Sequence, residues 1–570
     1  MKESEDPPQH THNKAVDPGS QTPAGISSMI PAEILLKIFF LLLPEVASSS
    51  PYSRILCLDP ARSVSQVSRF WRDTALSSSN FWSRGLDWNN YPEKWFKVLL
   101  ERSGSQDLHV VADLTKLGRG TKIPSPLRKN IEAIQHHTDR VKSLQIQVKV
   151  GFWLPDHVFA LRNSTLLCNL PALESLELLN QQRDIHLAWL HVDRRFLTDV
   201  ESANLRVMRV TGLSINFDLP YGNLQILSAV DLAPDGRPHV TKWLHILQGM
   251  PNLVELTIKG SSRDGVQGAG KLIHVRLPKL TSLSLAGQVL EQGGIEILLS
   301  HIVPSQGCNL YFAGSFGYVD PQSPATMAHM STFSDAFSKW FGRWRCEDYK
   351  STELHTCLDA KRFIIHNQSG EKPWPGSYFR ISVGLGTPLT RQLTEADVSV
   401  ISVIAQSLVS TLDYVIARTR KLTVWSSPRT FVMSWKDFLS RCSSITTLQI
   451  TERREKRCQS DHGGGERTIN SIFSVLSSLQ TNEDKLAGNP LPSLRKVIIV
   501  KLGGQITTFD YAETPLPSLR KVTIAKLGGH VVTFDYSDFL GHFQAEALQL
   551  GDPITAICRA IVRSVSTHRN

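Results

Sequence analysis

Cysteine is scarce: eight in 570 residues, at positions 57, 168, 308, 346, 357, 442, 458 and 558, with no Cys-x-x-Cys pair. Zinc modules need paired ligands, and a disulfide framework belongs to small secreted chains. Reduced, mostly buried thiols in a cytoplasmic or nuclear setting are therefore expected. His355 and Cys357 lie near Cys346, but three scattered ligands make no zinc module, and neither a metal nor another cofactor is expected. Long apolar runs are missing too. The most apolar stretch, MIPAEILLKIFFLLLP at 29–44, is interrupted by Glu33 and Lys37 and is shorter than the roughly 20 residues of a spanning helix. The residues before it are polar and mixed in charge, with no basic segment leading into it, so no signal peptide and no membrane partner are expected.

Dense charge of one sign is lacking as well. The net charge of +10 is spread along the chain, and the densest run, Glu452–Arg457, mixes signs. Nucleic-acid binding needs a basic face with interleaved aromatics, so no nucleic-acid partner is expected. Asn163 and Asn367 begin Asn-x-Ser/Thr triplets, which are read as chance matches.

Catalytic constellations are also wanting. GVQGAGKL, Gly265–Leu272, has the glycine and lysine spacing of a phosphate-binding loop. Leu272 stands where Mg²⁺ coordination requires Ser or Thr, and the β-like IHVRLPKL follows where a helix is needed. A polar turn between strands explains it better. DHGGGE at 461–466 has no nucleophile elbow, and His136-His137 suits a helix end. No paired carboxylates and no Ser/His/Asp set stand out, so a non-catalytic protein is expected.

What is present begins at Pro31, suited to a first helical position, with Glu33 in the first turn. Ile34, Leu35, Ile38, Phe39 and Leu42 follow at spacings of three and four, giving a broad apolar face that needs covering on more than one side. A second helix is predicted over Arg62–Leu76, with Val64, Val67, Trp71 and Ala75 on one side and Arg69, Arg72 and Asp73 toward water. FWSRGLDW starts a third short element containing Trp82. A unit this small buries little by itself, so its apolar residues call for a partner.

IPAEILLKIF…LP followed by VSQVSRFWRDTALSSSNFW, within residues 29–88, resembles the F-box or F-box-like family. The family pattern runs Leu-Pro-x-Glu-(Ile/Leu)-Leu-x-x-Ile-Phe, then Val-(Ser/Cys)-(Arg/Lys)-x-Trp-Arg, then a Leu/Phe-Trp pair. Ile30 stands where Leu is usual, and the loop 45–61 is longer than in compact members, as in similar fungal chains. The resemblance implies a trihelical domain docking on the adaptor subunit of an SCF-type (cullin–RING) ubiquitin ligase. It places the docking surface at Pro31, Ile34, Leu35, Ile38, Phe39, Val67, Trp71 and Trp82.

Beyond residue 90 a phrase recurs: apolar, two residues, apolar, one residue, apolar. It appears at 141–146, 173–178, 205–210, 253–258, 280–285, 445–450, 494–499 and 519–524. Helical intervals lie between some of these phrases, at VTKWLHILQGM, 293–303 and 468–479. The pattern resembles an irregular leucine-rich-repeat array, whose stacked strands leave a curved surface for a macromolecule. Residues 304–392 break it, as an inserted lobe or an irregular repeat, and a long helix is predicted through 394–418. Residues 491–511 return as 516–536 with sixteen of twenty-one identical, read either as one extra rung or as two hairpins turning at Gly503-Gly504 and Gly528-Gly529.

The fold class expected is thus α/β, an N-terminal trihelical F-box-like domain followed by an irregular leucine-rich-repeat solenoid. The parts are a disordered polar tail (1–26), the helical domain (27–90), repeats (91–303), the lobe (304–392), further repeats (393–550), and a C-terminal helix and tail (551–570). The function expected is target recognition within a ubiquitin ligase, with an unidentified target protein as second partner. The alternative is an interaction scaffold whose helices engage no cullin ligase.

Overall fold

The computed structural model describes residues 30–42, 59–88, 91–116, 125–148, 170–180, 203–213, 215–232, 237–260, 272–288, 294–316, 324–343, 353–359, 362–367, 378–385, 403, 405–426, 435–452, 494, 496–501, 505–511, 519–526 and 531–535. The polar tail 1–26, the loop 45–58, the Gly265–Lys271 loop, the helix expected at 468–479 and the C-terminal segment 551–570 lie outside them. The protein is mixed α/β, with helices and a large, mostly parallel sheet. Among the described residues no helix is long and apolar enough to cross a membrane.

The chain divides into two compact units. The N-terminal unit opens with four short helices: α1 (Ala32–Leu42), α2 (Asp59–Val67), α3 (Arg69–Ser77) and α4 (Ser79–Ser83). The single helix predicted over 62–76 is two, because Ser68 is extended (φ −155°, ψ 167°) and its Oγ accepts the Trp71 N–H at 3.1 Å. An N-cap of this kind satisfies an orphan donor and restarts the helix, which periodicity alone cannot reveal. Pro31 sits one residue ahead of α1, where its carbonyl accepts the Leu35 N–H at 3.0 Å. The FWSRGLDW element divides between α4 and the strand β1 (Arg84–Asp87).

The unit continues through α5 (Glu93–Arg102), β2 (Leu108–Asp113), α6 (Ser125–Gln135) and β3 (Val141–Val148), with β1, β2 and β3 paired in parallel. Glu93 joins α5 to α6, accepting from Lys129 at 2.7 Å and Lys97 at 2.9 Å. Asn130, buried, donates from α6 to the carbonyls of Trp88 and Tyr91.

The second unit is organised by one parallel ladder. It runs β4 (Ser175–Asn180), β5 (Val207–Thr211), β6 (Ile226–Val230), β7 (Glu255–Lys259), β9 (Ser282–Gln288) and β11 (Asn309–Phe316). A side pair, β8 (Val275–Leu277) with β10 (Ile302–Pro304), is also parallel. The expected strand phrases coincide with strands in every case, and most of these strands begin on the third residue of the phrase.

Local sequence explains why. Leu173, Leu224, Leu253, Leu280, Cys308 and Ile445 each donate an N–H to the carbonyl three residues back, closing a turn just before a strand. Pro171, Pro251 and Pro278 occupy the second position of such turns, where a fixed φ is favourable. The residue that follows then offers one carbonyl to two N–H groups on the next strand: Glu174 to Arg206 and Val207, Arg206 to Gln225 and Ile226, Gln225 to Val254 and Glu255. The exits repeat as well. Gly212, Asp231 and Gly260 turn at positive φ (69°, 48° and 55°) immediately after β5, β6 and β7.

The segment 304–392 adds strands to this sheet. β14 (Phe379–Leu385) pairs parallel to β11, and β12 (Glu353–Asp359) pairs parallel to β15 (Lys421–Ser426). Between them β13 (Arg362–His366) runs antiparallel to both. β16 (Thr447–Glu452) and β17 (Lys496–Lys501) extend the parallel ladder beyond β15.

Helices α7 (Val240–Gln248), α8 (Ile295–His301), α9 (Pro324–Arg343), α10 (Asp413–Arg418) and α11 (Trp435–Ser440) carry the matching apolar residues. Phe333 and Phe337 of α9 pack against Phe312 of β11, ring centroids 5.7 and 4.9 Å away. The long helix expected over 394–418 is divided at Leu412, a turn between helical residues 405–411 and α10.

The near-copy forms hairpins, so the hairpin alternative describes it. β17 pairs antiparallel with β18 (Gln505–Tyr511), β18 with β19 (Leu519–Lys526), and β19 with β20 (Val531–Asp535). Because the copies are offset by 25 residues (516 against 491), excising 504–528 rejoins one intact unit with its three-residue turn kept. The shortened chain is expected to unfold at the same temperature within a few degrees and to keep the β16–β17 amides protected in hydrogen exchange. Loss of cooperative unfolding would show the meander to be integral to the sheet.

One buried charge stands out in this unit. Glu296 is 1% exposed, and neither carboxylate oxygen has a hydrogen-bond partner among the described residues. Burial pushes its pKa from 4.5 up to about 7, partly offset by the nearby N–H groups of Glu296 and Gly294, neither of which makes a hydrogen bond of ordinary geometry. The unfolded chain releases this proton first, so stability is full below pH 4.5 and falls as pH rises to about 7. Glu296→Gln is expected to stabilise the protein by about 3 kcal/mol at pH 8 and by far less at pH 4. Urea unfolding at the two pH values checks both the size and the sign.

Candidate docking surfaces

Two surfaces in separate units have features of docking sites. The first is on the N-terminal helices. Their interior is aromatic: Phe39 meets Trp71 at 5.3 Å and Phe81 at 5.7 Å, and Phe81 meets Trp82 at 5.2 Å. The Trp82 indole donates to the Ala75 carbonyl at 2.7 Å, and the Arg102 guanidinium lies over the Trp82 ring at 5.0 Å. Leu35, Phe39 and Trp82 are buried in this cluster.

The same helices also present apolar side chains outward. Ile34 (45%), Ile38 (36%), Leu41 (79%), Val67 (59%) and Leu76 (39%) are five of the seven exposed large hydrophobic residues among those described. Ile34, Ile38 and Leu41 are spaced four and three apart, which makes one stripe along α1. Trp71 stands half-buried, and its buried indole N–H has no partner among the described residues.

The second surface is one face of the parallel sheet. Strand register sets Glu177, Arg209, Ser228, Thr257, Ser284, Tyr311, Arg380, His366, His355, Thr423 and Gln449 in a single row, each on a different strand. The next row, on the opposite face, runs Leu178, Val210, Ala229, Ile258, Leu285, Phe312, Ile381, Ile365, Thr356, Val424 and Ile450, all buried. Parallel sheets covered on both faces read as continuous apolar runs, whereas this one alternates.

Glu177 and Arg209 pair at 2.7 Å, and Glu353 and Lys421 at 3.2 Å. Lys259 and Arg380 lie 5.4 and 5.8 Å from the Tyr311 ring. His355 and His366 stack at 4.9 Å with rings 6° from parallel, and burial lowers the His355 pKa, opposed by the Glu353 carboxylate.

No family model and no curated protein matches the chain.

The residues singled out from sequence therefore separate into two groups. Leu35, Phe39 and Trp82 build the helical core, while Pro31, Ile34, Ile38 and Val67 face outward and Trp71 lies between. Leu41 and Leu76 were missed, although Leu41 continues the Ile34–Ile38 spacing. The polar row was missed because its members are scattered over more than 270 positions, from Glu177 to Gln449, and only strand pairing aligns them.

Among the described residues no group of three or more His, Cys, Asp or Glu is placed to hold a metal. Cys308 and Cys442 are buried thiols outside any disulfide, and burial pushes the Cys308 thiol up to about 12. After Gly265–Lys271, which lies outside the described residues, come residues 272–274 without helix or strand and then strand β8, where a phosphate-binding loop needs a helix N-terminus.

Proposed function

We propose that this chain is the target-recognition subunit of an SCF-type ubiquitin ligase, with α1–α4 as an F-box-like domain that docks on the adaptor. The supporting observation is the concentration of exposed apolar side chains at Ile34, Ile38, Leu41, Val67 and Leu76, on the very helices that resemble the family. Soluble monomers rarely expose clustered apolar side chains without a partner, and aliphatic and aromatic anchors dominate interface energies. The chain itself supplies no reacting group. It holds a protein target on the polar face of its sheet, read as an irregular leucine-rich-repeat array, and brings it near chemistry performed by other subunits. The repeated entry turn, strand and left-handed exit favour the repeat reading.

The test is direct binding of the full chain to the purified ligase adaptor, followed by co-purification of the cullin. A stoichiometric complex supports the reading. A folded chain that binds no adaptor leaves an interaction scaffold.

A further inference from the structure

We propose that Arg380, with Lys259 beside it at the Tyr311 ring, captures a single carboxylate of the target protein: an aspartate or glutamate set in an otherwise neutral or basic segment. The inference rests on the polar sheet face as the target-holding surface and names the chemistry which that surface selects.

Register explains how the three side chains meet. Arg380 of β14 stands opposite Tyr311 of β11. Lys259 comes from the other flank, on β7, opposite Ala286 of β9, which stands opposite Ala313 of β11. Because Ser284 and Ala286 are short, Lys259 reaches across β9 to bring its Nζ 5.4 Å from the Tyr311 ring centre. The Arg380 guanidinium lies 5.8 Å from the same point.

Arg380 is exposed and has no ion pair among the described residues. Lys259 also bears on Asp231, whose carboxyl it helps keep charged. The other carboxylates of this face sit elsewhere: Glu177 accepts from Arg209, Glu353 accepts from Lys421, and Glu255 occupies the opposite end of β7. A guanidinium fork is matched in shape and charge by a carboxylate, which takes two parallel N–H bonds.

Two features say which carboxylate. Half-buried Ser284, Ala286 and Ala313 form the floor beside the ring, with side chains too short to enclose a small acid, whereas an extended polypeptide covers such a floor. Glu177, Glu255 and Glu353 repel a polyanion laid along the same face, so a nucleic acid or a run of acidic residues fits poorly.

Random peptides displayed on phage are to be selected on the full chain, and again on Arg380→Glu. On the unaltered chain the selected peptides are expected to share one Asp or Glu; on the variant they are expected to carry Lys or Arg there. A synthetic selected peptide should bind the variant about tenfold more weakly. Lysine in place of its acidic residue should restore binding to the variant alone, a recovery that a misfolded chain could not produce. Failure to select an acidic residue overturns the proposal, as does binding indifferent to Arg380→Glu. An oligonucleotide that displaces the peptides through Arg380 also overturns it, because the occupant is then a nucleic acid. Adaptor binding is scored separately: a chain that selects acidic peptides yet binds no adaptor keeps this site and loses the ligase reading.

Discussion

Aspartate at both Ile34 and Ile38 is expected to abolish adaptor capture while leaving the chain folded. Both side chains project from α1, so a carboxylate at either position stays hydrated in the free protein, and exposed substitutions shift stability by only about 0.5 kcal/mol. In a docked complex the same carboxylates lose water with no partner. Anchors of this kind are worth about 2 kcal/mol or more each, so affinity should fall about a hundredfold or further. Binding isotherms with purified adaptor, alongside a thermal melt of each variant, provide the measurement. Unchanged affinity in a folded double variant would sink the docking assignment.

Phe39→Ala is expected to act in the opposite way. Its ring has no exposure and packs between Trp71 and Phe81, so truncation opens a cavity and breaks two ring contacts. The expected loss is about 3–5 kcal/mol from the N-terminal unit, read from urea unfolding of the full chain. Phe39→Leu should recover much of it, since most of the volume returns. Adaptor binding by Phe39→Ala should weaken only as far as the unit unfolds, and low temperature or excess adaptor should restore it. A cost below about 1 kcal/mol would mean that Phe39 is no core residue. The pair of experiments therefore separates residues that make the helices stand from residues that make them stick.

That separation was only half legible in the sequence. Apolar spacing in α1 marked Ile34, Leu35, Ile38 and Phe39 alike as one broad face, because a helical period reports which side a residue occupies and not what covers it. The break at Ser68 was written in the residue type but hidden by apolar spacing that runs on through it from Val64 to Ala75. Strands were read well where a Pro-led turn and a leucine announced them, as at Leu253 and Leu280. β6 escaped because Ala229 fills its last apolar position, and β15 because Thr419 stands where the leading apolar residue belongs, though it is buried as the leucines are. β13 was unreadable for another reason: an antiparallel strand between parallel neighbours is decided by pairing partners far along the chain.

Two rows of side chains, back to back across one sheet, have a consequence for how such a protein changes over generations. Each polar position has its own strand and its own flanking loops, and the aliphatic residue next to it in the chain points the other way. A substitution at Ser228, Thr257 or Ser284, all half-buried, therefore edits one letter of the polar row without disturbing Ala229, Ile258 or Leu285 behind it. Ancestry can be preserved in the apolar row while the polar row drifts, strand by strand, through intermediates that all remain folded.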